Sequence, residues 1–216
     1  MNASLKPKPQ GPGRPKDMEK RALILDAARN LFAQSSFNGT SMDAVAASAG
    51  VSKLTVYSHF GDKDNLFREV IRAHVQDKLP AELFTKRPEV GIRDILTEIA
   101  QRHALAETNA DTVGAFRAIM SDCQQGNPRF GRLVWEEGPA RMQKLVAELL
   151  QRAVDDGELQ IDNVPRASGQ FLALLKGDMV LRRLFGCEDC KYEFAEEVSA
   201  TAAAAVDMFM RAYGPR

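Results

Sequence analysis

Cysteine is scarce in this chain: three in 216 residues, at Cys123, Cys187 and Cys190. A disulfide framework is excluded at that density, so stability must come from a buried core. Aromatic residues reach only 7%, while Ala and Leu are abundant, which favours helices over strands. No run approaches the ~20 apolar residues of a spanning helix. The amino end, MNASLKPKPQGPGRPKD, lacks the apolar stretch of a signal peptide. No membrane partner is expected, and a cytoplasmic location is. Net charge is absent too, with 29 Lys+Arg against 29 Asp+Glu, so the surface is not uniformly basic. No phosphate-cradling GxxxxGK[ST], no GxGxxG after a strand, no HExxH and no GxSxG occurs. An enzyme is not expected, nor a cofactor. The neighbouring carboxylates Glu136-Glu137 and Asp155-Asp156 read as solvated helix faces.

The charge that is present is unevenly placed. Residues 1–63 carry nine bases and five acids; residues 64–216 carry 20 and 24. A basic front and an acidic back suit a polyanion at the front alone. The first 16 residues hold four Pro, two Gly, four bases and no acid, which cannot bury apolar area. Residues 1–17 are expected to be a flexible basic arm whose Arg14 can enter a DNA minor groove.

Apolar residues then recur at helical spacing. Helices are expected over about Met18–Ser35, Met42–Ser48, Ser52–Phe60, Lys63–Leu79, Gly91–Glu107 and Asp111–Gln125. A long pattern follows from Pro128 to about Asp156, interrupted at Gly138-Pro139. Two last helices read as Pro165–Phe185 and Tyr192–Ala212. No sustained strand alternation appears.

The informative segment is Thr40–Phe60. Two short helices flank Gly50, a residue at ease at positive φ. Ala46 and Ala47 permit close crossing, and Met42, Val45, Val51, Val56 and Phe60 face inward. This is the pattern of a helix-turn-helix. Ser52, Lys53, Thr55, Tyr57 and His59 then point outward from the second helix, with side chains suited to base edges and phosphates in a major groove. Thr40 or Ser41 caps the first helix. Lys63 and Tyr57 are candidate phosphate clamps, and Lys53 and Thr55 candidate base readers.

These residues carry a resemblance. Ile24-Leu-Asp-Ala-Ala, Gly39-Thr-Ser-Met-Asp-Ala-Val-Ala, Ala49-Gly-Val-Ser-Lys and Thr55-Val-Tyr-Ser-His-Phe-Gly-Asp-Lys-Asp resemble, in one register, the DNA-binding domain of the TetR/AcrR family of transcriptional regulators. The resemblance implies an all-α fold: a helix-turn-helix domain over 18–78 and an effector-binding, dimerising helical domain over 79–216. It implies a homodimer on a double-stranded DNA operator, most often a repressor released by a small-molecule effector. Two positions depart from the pattern. Leu54 stands where relatives carry a small residue, so it either meets a thymine methyl or packs. Ser35-Ser36 precedes Phe37 where a glycine is usual.

Within the second domain, Phe171, Leu174, Leu175 and Leu181, with Phe194, Val198, Ala202, Val206 and Phe209, are expected to form a four-helix dimer interface. Gly177 is expected mid-helix, easing close approach. His74, His103, Phe116, Arg117, Met120, Trp135 and Met142 are candidate effector contacts, in a pocket suited to an apolar or aromatic molecule. Two other readings stand beside this one. One is a ligand-sequestering helical dimer that does not bind DNA. The other is a redox- or metal-sensing regulator using Cys187 and Cys190. Zinc wants four ligands, and Cys123, His59, His74 and His103 are not at ligand spacing. Glu188 and Asp189 also oppose a reactive thiolate.

Overall fold

A computed structural model of the chain describes residues 14–85, 87, 89–124, 128–187 and 194–215, the side chains of 14–16, 128, 129 and 194 excepted. Every regular element among the described residues is helical. They are α1 (Arg14–Gly39), α2 (Met42–Ser48), α3 (Lys53–Phe60), α4 (Lys63–Lys78), a 3-10 turn at Ala81–Phe84, α5 (Ile92–Thr108), α6 (Ala110–Gln124), α7 (Pro128–Glu137), α8 (Pro139–Asp155), α9 (Val164–Lys176), α10 (Met179–Leu184) and α11 (Phe194–Tyr213). None among the described residues is long and apolar enough to cross a membrane. Most of the expected arm lies outside the described residues; the part from Arg14 onward belongs to α1, which begins earlier than its apolar pattern.

The chain divides into two compact units, Met1–Val70 and Ile71–Arg216, with the division inside α4. In the first, Ile24, Ala28, Val45, Val56 and Leu66 form a fully buried centre. Phe32, Phe37 and Phe67 close it as a trio. Phe67 stands edge-on to Phe32 at 4.9 Å and to Phe37 at 5.1 Å, a favoured arrangement of ring quadrupoles. Arg21 pairs with Glu69 and lies over the Phe60 ring.

In the second unit, α5 packs along α11, and α8 along α9. Ile95, Leu96, Ile99, Leu149, Leu150, Phe171 and Phe209 are buried between them. Two breaks shape this unit. Pro139 lacks an N–H and takes the first position of α8, so the long pattern becomes two helices. Gly177 is the second break and a correction. It has φ 49° and ends α9, where a continuous helix to Phe185 was expected. Apolar spacing on either side of one glycine does not reveal that the backbone turns there.

Glu137 is a further correction. It is buried rather than solvated, and it accepts two hydrogen bonds from Arg72, at 2.6 Å from Nε and 2.9 Å from Nη2. That bidentate geometry is what makes burial of a carboxylate tolerable.

A kink near the end of α1 explains the Ser36 departure. Ser36 has φ 59° and ψ 176°, the one non-glycine among the described residues at positive φ. That region is nearly closed to side chains other than glycine's. Ser36→Gly should therefore stabilise the protein by about 1 kcal/mol, the relief of strain exceeding glycine's entropy cost. Thermal unfolding should show a Tm higher by a few degrees; a lower Tm would mean that Ser36 is not strained.

Candidate nucleic-acid interface

The turn between α2 and α3 is built from backbone. Ala49 N–H donates to the Val45 carbonyl at 2.9 Å, and Val51 N–H to the Ala46 carbonyl at 3.1 Å. Gly50 between them has φ 66°, as the turn requires. Met42, Val45, Ala46, Val56 and Phe60 are buried, fixing the crossing of the two helices; Ala47 faces solvent instead. Ser41 caps α2 by accepting from Ala44 N–H at 3.1 Å, and Ser52 caps α3 by accepting from Thr55 N–H at 3.1 Å. Each cap is worth about 1 kcal/mol against alanine.

What α3 leaves outward is Lys53, Leu54, Tyr57 and Ser58, with Ser52 at its start and Thr55 half-buried. Leu54 does not pack: it is 79% exposed. Lys53 Nζ lies 2.7 Å and 3.0 Å from the two carboxylate oxygens of Asp43, at the start of α2. The hydrogen bond to Asp43 raises the Lys53 pKa above its ordinary value, so the ammonium stays charged. The Thr55 and Ser52 hydroxyls bond one another at 2.8 Å.

Three expected contact residues are placed elsewhere. Thr40 is buried, its hydroxyl donating to the carbonyls of Ser36 (2.8 Å) and Leu31 (3.2 Å). Lys63 donates to the carbonyls of Phe37 (3.0 Å) and Thr40 (3.1 Å) and sits over the Phe37 ring. Its charge holds the end of α1 rather than facing outward. His59 is largely buried, with Nε2 3.2 Å from Asp17 of α1. Local sequence placed these side chains near the surface, but the carbonyls and carboxylate that recruit them come from α1 and the residue that follows it. The Arg14 side chain lies outside the described residues. Asp43 and Ser58 were missed. Asp43 is ten residues from Lys53, a separation with no helical signal.

The second unit separates the expected effector contacts. His103 is 4% exposed, and neither ring nitrogen has a hydrogen-bond partner. Burial lowers its pKa from the ordinary 6.5, outweighing the opposite pull of Glu107. His74 is half-buried with Nε2 3.4 Å from the Thr112 hydroxyl, which also accepts from Lys78 at 2.6 Å. Phe116 is half-buried and Met142 lies in the main core. Arg117, Met120 and Trp135 are exposed. Arg117 caps α10 from α6, donating to the carbonyls of Arg183 (2.5 Å) and Leu184 (3.1 Å).

The expected interface is likewise divided. Phe171, Leu175, Val198, Ala202, Val206 and Phe209 are buried within the chain itself, leaving no surface for a partner. Leu174 is half-buried and Leu181 exposed; the Phe194 side chain lies outside the described residues. One apolar stripe per helix is what an internal core also requires, so spacing did not distinguish the two. Cys123 and Cys187 are exposed and in no disulfide, and Cys190 lies outside the described residues.

Residues 24–70 match the family described as bacterial regulatory proteins, tetR family. Residues 94–215 match the AefR-like transcriptional repressor, C-terminal domain. Among solved structures, the flavonoid-responsive regulator FrrA is 30% identical and superposes with a TM-score of 0.72, over 92% of this chain and 99% of that one. A TetR-family regulator from Mesorhizobium loti MAFF303099 is 26% identical, with a TM-score of 0.73 over 93% and 99%. The repressor KstR2 of Rhodococcus jostii is 27% identical over 159 residues, 71% of this chain and 74% of that protein.

Two outcomes follow from these placements. Lys63→Gln should destabilise the fold by about 1–2 kcal/mol, the cost of unpaired carbonyls, while leaving the salt dependence of DNA binding unchanged. A salt slope reduced by about one would instead return Lys63 to a phosphate. For His103, the folded pKa lies below the unfolded value, so between them the unfolded chain binds more protons. Stability should fall as pH drops below 6.5 toward the folded pKa, and be unaffected by this group above it. Urea midpoints across that range should fall less steeply in His103→Phe than in the parent.

Proposed function

The chain belongs to the TetR family of bacterial transcriptional regulators, and from that premise we propose that it binds a two-fold symmetric DNA operator as a homodimeric repressor, released by a small apolar or aromatic effector. The supporting observation is the outer face of α3. It is capped, held from behind by Val56 and Phe60, and presents Lys53, Leu54, Tyr57 and Ser58 to solvent. A major groove admits one helix of this kind, and each such face reads only a few base pairs, so two copies one helical turn apart, about 34–36 Å, give a useful site. Tyr57 and Ser58 serve the phosphates, while Lys53 and Leu54 read bases; Ser41 and Ser52 stand close by at the helix starts. Residues 18–78 act as the DNA-binding domain, and 79–216 bind the effector and the second subunit. The protein works in the cytoplasm.

The partner subunit covers the outer side of the last helices. Ala200, Ala203, Ala204 and Met208 recur at helical spacing on the exposed face of α11, and Leu181 and Phe185 are exposed on and just after α10. Small residues permit close helix approach, as a four-helix interface requires. An effector that binds one dimer geometry better than another lowers operator affinity by that difference, and DNA lowers effector affinity equally.

Selection of bound fragments from random duplex DNA tests the reading. Two inverted half-sites should emerge. No enrichment, from a protein that is dimeric by sedimentation, would favour a ligand-sequestering dimer. On the selected site Lys53→Gln should relax base preference at one position of each half-site. Leu54→Ala should weaken binding about 3- to 10-fold with the salt slope intact, because it removes an apolar contact of roughly 1 kcal/mol.

A further inference from the structure

We propose that His103 and Glu107 form the polar end of the effector site, and that they take an uncharged aromatic molecule bearing a hydroxyl group. This rests on the effector-responsive reading above and names its ligand.

His103 and Glu107 lie one turn apart on α5, on the same face of the helix. His103 is buried with both nitrogens unpartnered, and Glu107 Oε2 is buried without a hydrogen bond. Lys176 of α9 balances the Glu107 charge from 3.6 Å. Buried polar groups in folded proteins are almost always paired, so the two bare nitrogens of His103 call for a missing partner. The surroundings suit one. Ala104, the next residue along α5, packs with Met179 and Val198 in a small apolar cluster distinct from the main core. Met179 opens the six-residue α10, just beyond the Gly177 break. A flexible methionine on a short helix yields space at low cost.

The groups select the ligand's chemistry. Neutral imidazole offers one N–H and one bare nitrogen, and a carboxylate only accepts. A hydroxyl fits both, donating to Glu107 or to the bare nitrogen and accepting from the imidazole N–H. Glu107 and Lys176 already neutralise each other, so a charged ligand would bring an unbalanced charge into a buried site. The cluster to which Ala104 belongs is apolar, which suits an aromatic ring. A relative of 30% identity carries the description flavonoid-responsive, which is the same chemistry.

The experiment uses the full-length protein with apigenin, a hydroxyflavone, and its trimethyl ether. Calorimetric titration in the absence of DNA reads the site. Apigenin should bind saturably, and the ether, unable to donate, about 10- to 100-fold more weakly. His103→Phe, which fills the space, and Glu107→Leu should each weaken apigenin by at least about 10-fold, whereas His103→Gln, keeping a donor and an acceptor, should stay within a few-fold. Operator binding measured on the same variants reports folding and separates failure of the DNA reading from failure of this one. No apigenin binding to the parent protein, equal binding of the ether, or full binding by both His103→Phe and Glu107→Leu would overturn the proposal.

Discussion

The end of α1 is a helix C-terminus inside a packed core, and its bare carbonyls must be satisfied there. Thr40 and Lys63 do this between them, with donors to Leu31, Ser36, Phe37 and again Thr40. This one requirement places much of the first unit. It fixes Phe37 beside Phe32 and Phe67, and sets the start of α2 from Ser41. It ties the beginning of α4 to the end of α1. With those ends pinned, α3 can cross α2 at a defined angle, and its outer residues are free of structural duty. The positive φ at Ser36 is the strain that accompanies the knot.

The same logic of satisfaction divides the second unit. Arg72 and Glu137 complete each other, as do Lys78, Thr112 and His74. Glu158 accepts the first N–H of α5, and Arg152 donates to the Phe84 carbonyl. Against that background the orphaned nitrogens of His103 are an exception, and the next residue, Ala104, belongs to a satellite cluster rather than to the main core. A polar group left unpaired in a protein interior costs stability, and proteins accept such costs mainly where a ligand or function repays them.

The reading face of α3 is nearly neutral as it stands. Lys53 is engaged by Asp43 on a surface where such a pair is worth little, so it exchanges readily for a base or phosphate. Leu54, by contrast, gains nothing from solvent. On the proposed reading α3 gains specificity from shape and methyl contacts, and its charge contributes mainly through one lysine.

The all-α fold, α2, and the turn at Gly50 were legible in the sequence, because helical periodicity, caps and a glycine at positive φ are local properties. So was the family, because its motif residues fall within one short segment. What tertiary structure decided was which side of a helix meets what. The stripe of Phe171, Leu175, Val206 and Phe209 is the same in an internal core and in a dimer interface; only the packing of α9 against α11 shows that it is internal. His59 and Lys63 turned inward because their partners, on α1, are many residues away in sequence, and Thr40 because the chain bends back at Ser36 to bring nearby carbonyls to its hydroxyl. Periodicity records that a residue faces something, and long-range hydrogen bonds and contacts determine what that something is.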